Sequence, residues 1–127
     1  MGNGTSIGRV RGKGSAHSGA HHWLMFRYTS VGSLLLTVWF GASLLMLPNF
    51  SYASVREWLA SPIAATALAL FIVVNVWHAQ LGLRVVIEDY VHEEGNKFAS
   101  LIALNLVCFA AAAFGLFCVI RLALGGA

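Results

Sequence analysis

The sequence predicts an all-α integral membrane protein with three transmembrane helices. Its residues are 58% hydrophobic and 10% charged, against about 25% charged in a soluble domain. Three stretches, 28–55, 58–83 and 98–120, contain no Asp, Glu, Lys or Arg, and each exceeds the ~20 residues that cross a ~30 Å hydrocarbon core. So little of the 127-residue chain lies outside these stretches that a separate soluble domain has no room. The spans are placed near 27–47, 59–84 and 97–121.

The formal net charge of +3 fits a membrane surface better than nucleic acid, because of where the basic residues fall. Arg9, Arg11, Lys13 and Arg27 precede or open the first span, with no acid among residues 1–27. Excess Lys and Arg mark the cytoplasmic side. An N-in, C-out topology puts these four inside with Arg84 and Lys97, and leaves Arg56 and Arg121 outside. Residues 1–20 are rich in Gly and Ser and hold no apolar run of signal-peptide length. They read as a flexible cytoplasmic tail, with 21–127 as the membrane domain. The glycines of the tail follow no strand, so a dinucleotide-binding loop is excluded by context.

Each element has its own local grounds. Pro48-Asn49 ends the first span by removing a donor and offering a turn. Ser54-Val55-Arg56-Glu57 fits a capping box, which predicts a short interfacial turn with Trp58 at headgroup depth. Ser61-Pro62 is an alternative helix start, as N-cap and first helical residue. The second span runs through Asn75, Trp77 and His78 into Val86-Ile87-Glu88-Asp89-Tyr90-Val91-His92. Gly95-Asn96 is expected to break that helix, with Asn96 capping the third. Residues 110–113 with Gly115 give the third span a small-residue face for close helix contact. Cys108 and Cys118, ten residues and roughly 15 Å apart on one helix, cannot bridge each other.

His78 is the most informative residue. An imidazole in hydrocarbon needs a partner, so one inside a span is a functional candidate. On chemistry alone it either bonds a backbone carbonyl within the bundle or ligates a haem iron. Positions 78, 82, 85 and 89 fall within about 60° on a helix, so Gly82 leaves a gap beside His78 where a flat macrocycle could approach. No other intramembrane histidine is present, and a second axial ligand would come from another subunit. Arg27 reads as a snorkelling anchor or as a guanidinium for a haem propionate, with His21 in support. Asp89 and Tyr90 read as a solvated helix end in an interfacial belt. They also read as a phenol that donates to a quinone carbonyl and a carboxylate that orients an arginine or delivers protons.

The motif His78-Ala79-x-x-Gly82-x-x-x-Val86-x-x-Asp89-Tyr90-Val91, in the second of three spans, resembles the small D-type membrane anchor of succinate dehydrogenase (respiratory complex II). The segment His21-x5-Arg27-x-Thr29 is similar to that family too, and the layout matches over roughly residues 21–121. The sister anchor's Ser-x-x-His-Arg-x-Thr-Gly pattern is missing, because Phe26 precedes Arg27. Ser30 departs from the family, where Ala is common, and the tail has no counterpart role. The resemblance is to the alphaproteobacterial and mitochondrial-type branch. It implies an anchor in a bacterial inner membrane, rather than a mitochondrial one, that packs with a sister cytochrome b anchor of the C type. The pair holds the flavoprotein and iron–sulfur subunits on the membrane. It further implies His78 as an axial ligand of haem b, Arg27 and His21 (or His22) towards the propionates, and Tyr90 with Asp89 at ubiquinone. A structural anchor without haem and a small proton-relay protein are the competing classes.

Overall fold

The computed structural model describes residues 19–125. The chain forms α1 (Gly19–Met46), α2 (Tyr52–Ala60), α3 (Pro62–Tyr90) and α4 (Glu94–Ala123), with no strand among the described residues. Helices α1, α3 and α4 are long and apolar enough to cross a membrane. The expected all-α, three-span architecture is therefore present. Of the tail expected over 1–20, residues 1–18 lie outside the described residues, and Gly19 and Ala20 already belong to α1.

The helix limits differ from the charge-free stretches at both ends of the spans. Nothing in 19–27 breaks a helix, so α1 starts well before the expected residue 27 and carries His21 and His22 on its first turn. Likewise α3 runs on from residue 84 to Tyr90, since Val85-Val86-Ile87 offers no turn chemistry. Helices of 28 to 30 residues are about 42–45 Å long at 1.5 Å per residue. They are longer than the ~30 Å hydrocarbon core requires, which leaves length for Arg84, Glu88, Asp89 and Lys97 to reach the headgroup layer.

Three caps resolve the expected alternatives. The short helix α2 starts at Ser51 rather than Ser54: the Ser51 side chain accepts the Ser54 N–H at 3.3 Å. Asn49 Oδ1 reinforces that turn by accepting from the Ser51 N–H at 3.0 Å and the Ser54 hydroxyl at 2.7 Å. Helix α3 begins at Ser61-Pro62, the alternative start. The break before α4 falls at 91–93, because the Glu93 side chain accepts the Asn96 N–H at 3.0 Å and so acts as N-cap. Gly95 and Asn96 sit inside the first turn instead of ending the preceding helix.

Helix α3 is the centre of the molecule. It packs on both α1 and α4, which make no packing contact with each other. Closest approach is set by glycine: a Cβ on Gly115 would stand 3.0 Å from Ile72 Cγ2, and one on Gly32 would stand 3.2 Å from Val74 Cγ1. At the α2 end, Trp58 stacks on Trp39 with centroids 5.9 Å apart, and Phe40 stacks on Phe71 at 4.8 Å. Leu59, next in the chain to Trp58, is fully buried. Arg56 Nη2 donates to the Gly125 carbonyl at 3.2 Å, tying α2 to the chain just past α4. Long rows of exposed apolar side chains, such as Leu34, Leu35 and Val38 on α1 and Leu106, Val107 and Phe109 on α4, present surfaces suited to lipid or to other membrane helices.

Gly115→Val should therefore force α3 and α4 apart, at about 1–3 kcal/mol for overpacking. Gly41→Ala, with nothing within 4 Å of the new methyl, should be neutral. Resistance to dodecyl sulfate in mixed micelles measures both, and Ile72→Ala should restore the Gly115→Val variant.

Candidate functional site

A polar seam joins α1 to α3 within the apolar spans. On α1 the positions His22, Met25, Phe26, Thr29 and Ser33 recur at three- and four-residue steps and so share one face. Thr29 is 5% exposed, a buried polar residue on a helix that is otherwise poorly buried. Its Oγ1 stands 2.9 Å from the Met25 carbonyl, 3.0 Å from the Phe26 carbonyl and 3.1 Å from His78 Nδ1. One turn further along α1, the Ser33 hydroxyl donates to Asn75 Oδ1 at 2.6 Å. The Asn75 amide in turn donates to the Phe71 carbonyl of its own helix at 2.8 Å. Each rung replaces water that hydrocarbon does not offer.

His78 is half-buried on this seam. The Phe26 ring lies against it, with centroids 4.9 Å apart at 40°. The same ring comes within 3.9 Å of where a Gly82 Cβ would be. The close approach beside Gly82 is thus made by Phe26 of the same chain, at an ordinary contact distance. No group among the described residues bonds His78 Nε2.

The other site residues read from the sequence lie apart from His78. Arg27 is two residues from Thr29, which turns it about 160° away from the seam. It is exposed, and its guanidinium sits over Trp23 at 5.3 Å from the ring centroid. His21 and His22 line a cavity of about 640 Å³ with Trp77, Gln80, Arg84 and Glu88. These α3 residues lie roughly 80–160° around the helix from His78. His22 Nε2 is enclosed there without a hydrogen-bond partner. Arg84 Nε donates to Glu88 Oε1 at 2.8 Å at the mouth of this cavity. Asp89 and Tyr90 close α3, both exposed. Asp89 shares the His78 face some 16 Å along the axis, and Tyr90 is turned about 120° from it.

Thr29 and Phe26 contact His78, and Ser33 bonds Asn75 one turn away, pairings that sequence reasoning did not assign. The three- and four-residue spacing of Phe26, Thr29 and Ser33 on α1 was the available signal. Among the described residues no cluster of three or more His, Cys, Asp or Glu could hold a metal ion. Cys108 and Cys118 are free thiols on α4, as their spacing required.

Fold and site together define a class: a three-span helical membrane protein built around a central helix that carries one tethered imidazole. The chain belongs to the succinate dehydrogenase/fumarate reductase transmembrane subunit family, whose model matches residues 1–112. It is similar to the succinate dehydrogenase hydrophobic membrane anchor subunit of Rickettsia conorii, at 36% identity over 80% of this chain and 82% of that protein. The protein of the same name from Paracoccus denitrificans is 30% identical over 91% of this chain and 89% of that protein. The succinate dehydrogenase membrane anchor subunit of Reclinomonas americana is 27% identical over 71% of this chain and 78% of its own length.

Proposed function

We propose that this chain is the hydrophobic anchor of a succinate:ubiquinone oxidoreductase, contributing one axial ligand to haem b and part of the quinone site. The observation that carries the haem reading is His78: an imidazole inside a charge-free span, tethered at Nδ1, with Nε2 free of protein partners among the described residues. A bare metal ion needs three or four protein donors, which the described residues do not gather. A haem iron takes few protein ligands, imidazole among them, and one imidazole is what this chain would offer. The donor set therefore fits haem.

Bound haem supplies one-electron chemistry at that position. The chain's residues do the rest. His78 presents Nε2 as a ligand, Thr29 holds the ring, and Phe26 excludes water from the adjoining face. Arg27 and His21 offer cationic and hydrogen-bonding groups to propionates. The outward aim of Arg27 suits a group shared with a neighbouring protein. Tyr90 would donate a hydrogen bond to a quinone carbonyl, and Asp89 beside it would orient an arginine or deliver the protons that quinone reduction takes up. Both are exposed at the end of α3, as residues must be if an iron–sulfur protein is to dock over them.

The proposed assembly has this chain paired with a cytochrome b anchor, and the pair carrying the iron–sulfur and flavoprotein subunits at the Tyr90 end. The membrane is the bacterial inner membrane, with the N-terminus and the α3–α4 turn on the cytoplasmic side. Six Lys and Arg on that side against two on the other support this orientation.

In the purified complex, His78→Ala should abolish the reduced-minus-oxidised b-type spectrum while flavin content and succinate oxidation with an artificial acceptor persist. An unchanged spectrum would reduce His78 to a packing residue and leave a structural anchor without haem. In the same preparation, Tyr90→Phe should slow quinone reduction several-fold or more, from one hydrogen bond worth about 0.5–1.5 kcal/mol. Wild-type quinone kinetics would leave Tyr90 an interfacial anchor. For topology, a cysteine at Asn49 should react with a membrane-impermeant thiol reagent in intact cells, and one at Gly95 should not. The reverse pattern would separate the quinone site from its electron donor.

A further inference from the structure

The α1–α3 seam does more than hold two helices together. We propose that Thr29 is the positioning residue that fixes the tautomer and ring angle of His78, and that the Ser33–Asn75 clamp sets the register that delivers Thr29 to it. This rests on the reading of His78 as a haem ligand.

The tautomer follows from counting hydrogens. The Thr29 hydroxyl has one hydrogen and two lone pairs. Three groups stand within 3.1 Å of its oxygen, and two of them, the Met25 and Phe26 carbonyls, can only accept. A helical Thr commonly donates back to a carbonyl three or four residues earlier. With its hydrogen committed there, Oγ1 turns a lone pair to His78 and accepts Nδ1–H. The proton is then on Nδ1, and the Nε2 lone pair is left to bind iron. An acceptor on the non-ligating nitrogen orients the ring and raises the basicity of the ligating one.

The register follows from geometry. Ser33 lies one turn after Thr29 on α1, and Asn75 lies one turn before His78 on the antiparallel α3. The 2.6 Å and 3.1 Å contacts are therefore successive rungs of one ladder. Asn75 cannot flip its amide to suit a shifted partner, because its NH2 is already committed to the Phe71 carbonyl at 2.8 Å. Gly32 lies between the rungs, where even a methyl would stand 3.2 Å from Val74. The helices are thus held near in spacing by Gly32 and fixed in height by Ser33 and Asn75. A slide of α1 along α3 breaks both rungs in hydrocarbon, where no water replaces them.

The test compares Thr29→Val, Thr29→Ser, Ser33→Ala and Asn75→Leu in the purified complex, with His78→Ala as reference. The readouts are haem-to-flavin ratio, the low-spin haem resonance and the haem midpoint potential, none of which depends on turnover. Thr29→Val keeps the volume and removes the acceptor. It should weaken haem retention about 10-fold or more, the range for losing an outer-shell partner, and shift resonance and potential. Thr29→Ser should restore all three. Ser33→Ala and Asn75→Leu should shift the resonance in the same direction by less, with flavin content intact. A Thr29→Val complex with wild-type resonance and potential overturns the proposal, as does Thr29→Ser being as impaired as Thr29→Val. If Thr29→Val does not assemble, Ser33→Ala, which deletes one oxygen atom, decides: a wild-type resonance refutes the clamp. Loss of haem in His78→Ala together with no response at Thr29 would leave the ligand reading standing and sink this inference alone.

Discussion

Everything in this molecule depends on how polar side chains are satisfied where water is absent. The backbone is satisfied by being helical, and apolar faces gain little by choosing each other over lipid. What remains to specify one helix pairing is directional. Between α1 and α3 those directions come from Thr29 with His78 and from Ser33 with Asn75. Interhelical bonds of this kind average about 0.6 kcal/mol in measured cases. They contribute more to register than to stability. A soluble protein would hide such a pair in a large core; here few side chains are buried, and the Gln80–Asn105 bond between α3 and α4 is exposed.

The two ends of the bundle are held by different forces. At the α2 end, aromatic stacking of Trp39, Trp58, Phe40 and Phe71 ties three helices together, and Arg56 reaches the carbonyl of Gly125. At the other end, α3 projects past its last apolar turn and the charged residues Arg84 and Glu88 pair with each other. Both are half-exposed, so this pair adds little to stability. That end is consequently open: it presents Asp89, Tyr90 and a polar cavity instead of a packed cap. A firm far end and an open near end are what a protein needs if something else is to dock on the near one.

The spans were legible in the sequence because charge is costly in hydrocarbon, and the gaps between charges mark them directly. Their ends were less legible, since a helix that leaves the membrane has no reason to stop. Thus α1 reaches back to Gly19, and α3 carries on to Tyr90. The cap at Glu93 was missed because Gly95-Asn96 has the stronger turn chemistry by residue type, whereas the carboxylate of Glu93 won by reaching the Asn96 N–H. His78 stood out by itself, being an imidazole in an apolar run. Its partner did not, because Thr is common in membrane helices and only the pairing of α1 with α3 selects Thr29 from Thr37 or Thr66. Gly82 shows the converse: the gap was legible, but its occupant, Phe26, was not.

The continuity of α3 links the two proposed sites. His78 and Asp89 lie on one face of one unbroken helix, at a separation of some 16 Å fixed by the helical rise. No proline or glycine break falls between them, and Gly82 is accommodated inside the helix. A group held at His78 and a quinone held at Tyr90 would therefore keep a constant distance, whatever the surrounding proteins do. Rotation of the helix would be the remaining freedom, and Thr29 with the Ser33–Asn75 clamp removes it at the His78 level. Since α3 is rigid between the two, fixing the imidazole also fixes the direction in which Tyr90 leaves the membrane. The seam that would orient one proposed site would thereby set the geometry of the other, with no side chain running between them.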